Sequence, residues 1–191
     1  MQLKSRLLPV AAIVATALAA GPVLAQDGDG DSQRDDVPPP HAVQTVYLEA
    51  EDLLPALESY EAPGERQPGV AIASRQEVDD VFSGNAGVLL TNGDDGTRLT
   101  LRFTVPASGA YSVAARMGVG PDLGIVQPAI DGRPLGRSFD AYATEAGRSD
   151  ELVLSRVELA KGDHTVTFTV ESKNAAATGK NARVDYLTLD P

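Results

Sequence analysis

The chain has 191 residues, a formal charge of −11, two His and neither Cys nor Trp. That length suits one ordinary domain with a tail and is too short for a multidomain enzyme. The acidity argues against nucleic acid as a partner. The missing Cys excludes disulfides, thiolate metal sites and cysteine nucleophiles, and His41 and His164 alone are too few for a His-rich zinc site.

The first residues read as an export signal. Lys4 and Arg6 precede an apolar run, Leu7 to Ala20, that Gly21-Pro22 interrupts. Val23-Leu24-Ala25 then offers a signal peptidase small or modest residues, so residues 1–25 are expected to be a signal peptide and Gln26 the first mature residue. The run is shorter than the roughly 20 residues that span a bilayer, so no membrane span is expected in the mature protein. An uncleaved anchor is the alternative. Cleavage removes Lys4 and Arg6 and takes the charge from −11 to −13. The expected location is outside the cytoplasm, periplasmic or extracellular.

Residues 26–42 read as a disordered acidic and Pro-rich linker. Val37 is its one apolar residue larger than alanine, five Asp repel one another, and Pro38-Pro39-Pro40 favours an extended chain. Asp27, Asp29 and Asp31 imitate the start of an EF-hand loop. The match fails at Ser32, where the turn glycine belongs, and at Pro38, where the bidentate glutamate belongs.

From Val43 to Pro191 the pattern is all-β. Turn signals recur about every ten residues, at Pro63-Gly64, Asn92-Gly93, Ser108-Gly109, Asp131-Gly132 and Lys161-Gly162-Asp163. Leu99, Leu101, Phe103 and Val105 alternate with polar residues, as do Val166, Phe168 and Val170, and Tyr111, Val113, Ala115 and Met117 recur at period two after the Ser108-Gly109 turn. Further strands are expected at 43–49, 70–73, 88–91, 124–130, 152–159 and 183–189. Glu51 to Tyr60 could begin a helix, but Pro55 breaks it. About nine antiparallel strands without an amphipathic helix predict a two-sheet β-sandwich or jelly roll.

The domain opens with Tyr47-Leu48-Glu49-Ala50-Glu51-Asp52 and closes with Val184-Asp185-Tyr186-Leu187. Between them lie G-I-V-Q at 124–127, D-G-R-P-L-G at 131–136, F-D-A-Y at 139–142, K-G-D-H-T at 161–165 and S-K-N at 172–174. In order and spacing this set resembles carbohydrate-binding modules of families 6 and 35, the galactose-binding-like jelly rolls appended to bacterial glycoside hydrolases. The resemblance covers Val43 to Pro191. It implies a sugar-binding β-sandwich, with a structural Ca2+ held by carboxylates at Glu49, Glu51 and Asp185.

Residue chemistry is compatible with that cation. Glu49 and Glu51 are two apart, so on a strand both would leave one face, and Asp185 joins them if the last strand pairs with the first. Carboxylates with backbone carbonyls make a hard-oxygen site suited to calcium. The alternative is a solvated acidic strand end neutralised by Arg183 or Arg66.

A sugar site needs a flat apolar surface and hydroxyl partners. Phe103, Phe168 and Tyr111 fall in alternating strands and are expected in the core. Tyr142, Phe82 and Tyr60 are the loop candidates. The candidate ligand-binding residues are Tyr142, Lys173 and Asn174. The resemblance implies that an Asn in the loop before the last strand binds sugar hydroxyls, and Lys173 could pair with an acidic sugar. The alternatives are a packing role for Tyr142 and an ordinary turn role for Asn174.

Catalysis is not expected. Asp94-Asp95 sits in a turn where the side chains diverge, His164 beside Asp163 lacks a G-x-S-x-G serine, and no Gly-rich phosphate loop precedes a helix. Two readings remain: a secreted non-catalytic module binding a soluble or cell-wall glycan, or a structural domain contacting an envelope protein on the same fold.

Overall fold

A computed structural model describes residues 44–61, 70–73, 82–91 and 94–191. The expected signal peptide and linker lie outside the described residues. So do the Pro63-Gly64 and Asn92-Gly93 turns. The described residues belong to one compact unit, His41–Pro191.

The strands run in chain order as β1 (Val46–Glu49), β2 (Leu57–Glu61), β3 (Val70–Ala73), β4 (Gly87–Leu90), β5 (Arg98–Val105), β6 (Gly109–Val119) and β7 (Ile125–Ile130). They continue as β8 (Arg133–Pro134), β9 (Phe139–Asp140), β10 (Gly147–Arg148), β11 (Leu152–Leu159), β12 (Gly162–Ser172) and β13 (Ala182–Asp190). Among the described residues one short helix, α1 (Ala50–Leu53), and two 3-10 turns at Leu54–Ala56 and Ser83–Asn85 interrupt them. Among the described residues no helix is long and apolar enough to cross a membrane.

Two antiparallel sheets stack as a sandwich. In the first, β6 and β13 are central. On one side β6 carries β10 and β11, and on the other β13 carries β1 and β4, with β3 outside β4. In the second the order is β2, β5, β12, β7, with β8 and β9 both on the far side of β7. Inward residues of both sheets interdigitate: Leu99, Leu101, Phe103 and Val105 of β5 and Val166, Phe168 and Val170 of β12 meet Tyr111, Val113, Ala115 and Met117 of β6. Period-two alternation puts the polar partners Arg102, Thr104, Thr165 and Thr167 on the other face. Tyr111 is fully buried, and its hydroxyl donates to the Ala107 carbonyl at 2.6 Å, which satisfies its polar end.

Two local expectations are corrected. The chain does not stay extended through Glu51: it turns helical at Ala50, whose methyl is fully buried, so Glu49 ends a strand and Glu51 begins a helical turn. Phe82 is not a loop platform, because its ring is buried at 4 % exposure against Gly87 and Gly118.

Closure of the sandwich brings its first and last strands together. β1 pairs antiparallel with β13, Val46 opposite Leu189 and Glu49 opposite Tyr186. A bulge in β13 falls between Val184 and Tyr186, at Asp185. The extra residue re-aims that side chain out of the regular alternation.

Candidate functional site

The first cluster sits where β1, α1 and β13 meet the Ser83–Asn85 turn. Glu49 Oε1 accepts from the Ser83 hydroxyl at 2.8 Å, and Asp185 Oδ1 accepts from the Ser83 backbone N–H at 2.8 Å. Gly84 has φ of +57°, and a Cβ there would lie 3.3 Å from Glu51 Oε1 and 3.8 Å from Glu49 Oε1. Thus all three predicted carboxylates border one two-residue turn. The left-handed backbone favours glycine at 84, and a Cβ there would crowd the Glu51 carboxylate.

Each of these carboxylates keeps one buried oxygen without a hydrogen-bond partner: Oε2 of Glu49, Oε2 of Glu51 and Oδ2 of Asp185. Asp185 is fully buried. Burial pushes its carboxyl above the usual range; the Ser83 N–H opposes this, Glu49 adds to it, and Arg148 and Arg116 offset it in part. Burial also pushes Glu51 up; its own backbone N–H opposes this, and the neighbouring charges of Glu49, Asp52 and Asp185 add to it. No ion pair among the described residues joins Arg183 to the three carboxylates, and Arg66 lies outside the described residues. Orphaned buried oxygens cost free energy unless something pairs with them. The donor set is hard oxygen, which fits a calcium-class cation. Among the described residues no three acidic or imidazole groups close into a metal cage. A cation here would therefore need further ligands, such as backbone carbonyls or water, beside these side chains.

An aromatic pair adjoins this cluster. The Tyr47 and Tyr186 rings are 4.6 Å apart between centroids and tilted by 35°, and the Arg116 guanidinium lies 5.5 Å from the Tyr186 centroid. Because Ser83 donates to Glu49, it accepts from the Tyr47 hydroxyl at 3.0 Å. Burial and the hydrogen bond to Glu151 push the Tyr186 hydroxyl up to about 12.

The second cluster is built from three connections at one end of the sandwich. Asp140, at the end of β9, accepts from the Tyr142 backbone N–H at 3.1 Å and from Asn174 Nδ2 at 2.7 Å. Tyr142 and Asn174 are 32 positions apart in sequence and converge on that carboxylate. Asn174 Oδ1 accepts from the Ala176 N–H at 3.0 Å, so its amide is fixed at both ends while one N–H and one lone pair stay available. Lys173 Nζ donates to the Ala177 carbonyl at 2.6 Å. Among the described residues no carboxylate pairs with it.

The surrounding backbone is tied down. Gly120 N–H donates to the Ala141 carbonyl and Ala143 N–H to the Gly120 carbonyl. Thr178 N–H donates to the Pro121 carbonyl at 2.8 Å, and Asn181 Nδ2 donates to Asp122 Oδ2 at 2.7 Å. Gly179 passes so near that a Cβ would fall 2.7 Å from the Asp122 carbonyl. Asp140, Asp122 and Asn181 are the organising residues that motif reading does not assign. F-D-A-Y contains the first of them, but only the fold brings 140 beside 174. A cleft of about 500 Å³ lies elsewhere, between the β7–β8 turn and β11.

No protein-family model matches the chain, and no curated protein matches it in sequence. Solved structures do match. A Paenibacillus xanthan lyase superposes with a TM-score of 0.64 at 20 % identity, over 86 % of this chain and 14 % of that one. A Podospora anserina β-(1,4)-mannanase carrying a family 35 carbohydrate-binding module gives 0.50 at 16 %, over 78 % of this chain and 28 % of that one. A family 35 module from Clostridium thermocellum gives 0.47 at 17 %, over 76 % and 97 %. This chain spans only a small part of the two enzymes. At such identities the likeness establishes the fold, and the fold is the one the motifs implied: an antiparallel jelly roll of the carbohydrate-binding-module type.

Proposed function

We propose that the protein is an exported, non-catalytic glycan-binding module, with calcium held at Glu49, Glu51 and Asp185 and sugar held at Tyr142, Lys173 and Asn174. The convergence of Tyr142 and Asn174 on Asp140 carries the sugar reading. It brings the Tyr142 backbone and the Asn174 amide to one tied-down set of loops, and the Tyr142 residue there is half-buried. The ring offers a face to sugar C–H groups, and the amide offers a donor and an acceptor to a hydroxyl pair. Lys173 adds a cation for an acidic sugar. The partnerless oxygens of the three carboxylates support the calcium reading. The family 35 module named in the mannanase likeness agrees in kind.

With no tryptophan and one ring in the site, affinity is expected to be modest, on the order of 0.1–1 mM, or about −4 to −5.5 kcal/mol. Calorimetric or NMR titration against a panel of neutral and acidic glycans tests this. Shifts are expected within 140–150 and 172–181, and Asn174→Ala should cost about 1–3 kcal/mol by leaving sugar hydroxyls unpaired. Silence across the panel would transfer the protein to the envelope-interaction reading.

A further inference from the structure

Strand β11 is paired on one side only. Its partner is β6, and among the described residues no backbone hydrogen bond reaches residues 151–159 from any other direction. The first half of this free edge is covered. A bulge lies between Val153 and Ser155, and Gly136 approaches so closely that a Cβ there would sit 2.5 Å from the Leu154 carbonyl. Beyond that point, among the described residues, Ser155 to Leu159 has no backbone partner on this side, and only the Ser155 hydroxyl approaches it, 3.5 Å from the Arg156 carbonyl. Such an edge is a template for another strand unless something blunts it.

Side chains along the bare stretch alternate. Val157 packs against the core yet is only partly buried, and it lines a cleft of about 500 Å³ with Ile130, Pro134 and Leu159 and with the charged Asp131, Arg133, Arg156 and Glu158. Arg156 and Glu158 are exposed on the outer face, and neither makes an ion pair among the described residues.

The geometry points to a second copy of this chain as the occupant of that edge, with two β11 strands antiparallel about a two-fold axis at Val157. Opposed residues in an antiparallel pair keep the same face, so a two-fold at Val157 sets Arg156 opposite Glu158 of the second copy. Symmetry repeats the pair, so both charges of each copy are matched. The two Val157 side chains then face one another across the axis. A register moved by two positions about Arg156 would place like charges together, so the sequence discriminates between registers. An unrelated extended peptide could use the backbone groups, but nothing in its sequence would be bound to match this charge order.

The interface is one short strand per copy, well under the area of a permanent dimer, so the association is weak and concentration-dependent. Sedimentation velocity on the purified protein over a concentration series tests it. The weight-average mass should climb toward twice the monomer, and less steeply at high salt. Arg156→Glu sets glutamates opposite one another twice, and Glu158→Arg does the same with arginines. Each should raise the dissociation constant by about tenfold or more. The double variant restores opposite charges and should return the constant to near that of the parent. Thermal melts of the four proteins check that each is folded. A monomer at every concentration overturns the proposal. So does an association that the single swaps leave unchanged or the double swap fails to restore, since either places the contact on another surface.

Discussion

Gly136 and Gly132 occupy one connection and differ in what a methyl group would meet. Both have positive φ, +61° and +73°, so any L residue there carries left-handed strain of about 1–2 kcal/mol. At Gly132 a Cβ would find nothing within 4 Å, whereas at Gly136 it would strike the Leu154 carbonyl at 2.5 Å. A backbone oxygen in a paired strand cannot step aside cheaply. Gly136→Ala should therefore destabilise by about 2–4 kcal/mol and Gly132→Ala by only the strain. Urea unfolding of the two variants checks the difference, and equal costs would mean that the approach at 136 relaxes freely. Residues of this kind were poorly legible in sequence. D-G-R-P-L-G announces a turn, but nothing in it tells which glycine faces a strand. Likewise Ser83-Gly84 reads as a plain loop, although Ser83 binds two of the three acidic side chains at the chain's junction.

At the scale of elements, the β7–β8 turn is fastened to β12 by an ion pair. Asp131 Oδ2 lies 2.6 Å from His164 Nδ1, and Asp131 Oδ1 accepts from the Thr165 N–H at 2.9 Å. The other ring nitrogen faces the Ala160 carbonyl at 2.8 Å, so both nitrogens meet acceptors and the imidazolium suits the site. Burial draws the imidazole down, but the Asp131 bond and the Ala160 carbonyl outweigh it and leave it above its ordinary value. Burial pushes Asp131 up, and the His164 and Thr165 bonds overcome this to leave it low. A raised histidine contributes fully below its unfolded value of about 6.5 and is lost as pH rises through its folded value. A lowered aspartate contributes above its unfolded value of about 4 and is lost as pH falls through its folded one. The melting-temperature advantage of the parent over His164→Gln should thus be largest near pH 5–6 and shrink toward pH 9. Circular-dichroism melts across that range check it, and a gap that widens with pH would contradict the pair. The Asp131 side chain is 44 % exposed, so screening keeps the effect small. The long alternating strands β5, β6 and β12 were legible because one buried face imposes period two. The two-residue strands β8, β9 and β10 are too short to carry any period. β2 was obscured because it follows directly on the 3-10 turn Leu54–Ala56, which contains Pro55, with no turn residues between them.

Over the whole molecule, the carboxylate cluster joins the first strand to the last, so whatever pairs with it acts on global unfolding. Its membership was legible from the E-A-E-D and D-Y-L ends. Its geometry was not, because Glu51 reaches it from a helical turn and Asp185 from a bulge. Without a cation, three partly or fully buried acids face one another, and Glu51 and Asp185 are both pushed up by that environment. Their ionised forms then cost stability at neutral pH. A ligand that binds only the folded protein adds RT ln(1 + [L]/Kd), roughly 2.7 kcal/mol at a hundredfold excess over Kd. These two effects predict a crossover for Asp185→Asn. The amide keeps an oxygen for the Ser83 N–H and removes one buried charge, so in chelator the variant should melt at or above the parent. In millimolar calcium the order should reverse, because the parent gains the ligand increment and the variant loses most of it. Parallel melts of both proteins, with calcium and with chelator, read all four values. Parent melts that coincide in calcium and chelator would show that no calcium clips the ends of this sandwich. A variant less stable than the parent in chelator would show instead that Asp185 is held by its hydrogen bond and by Arg116 and Arg148, with no cation needed to justify its burial.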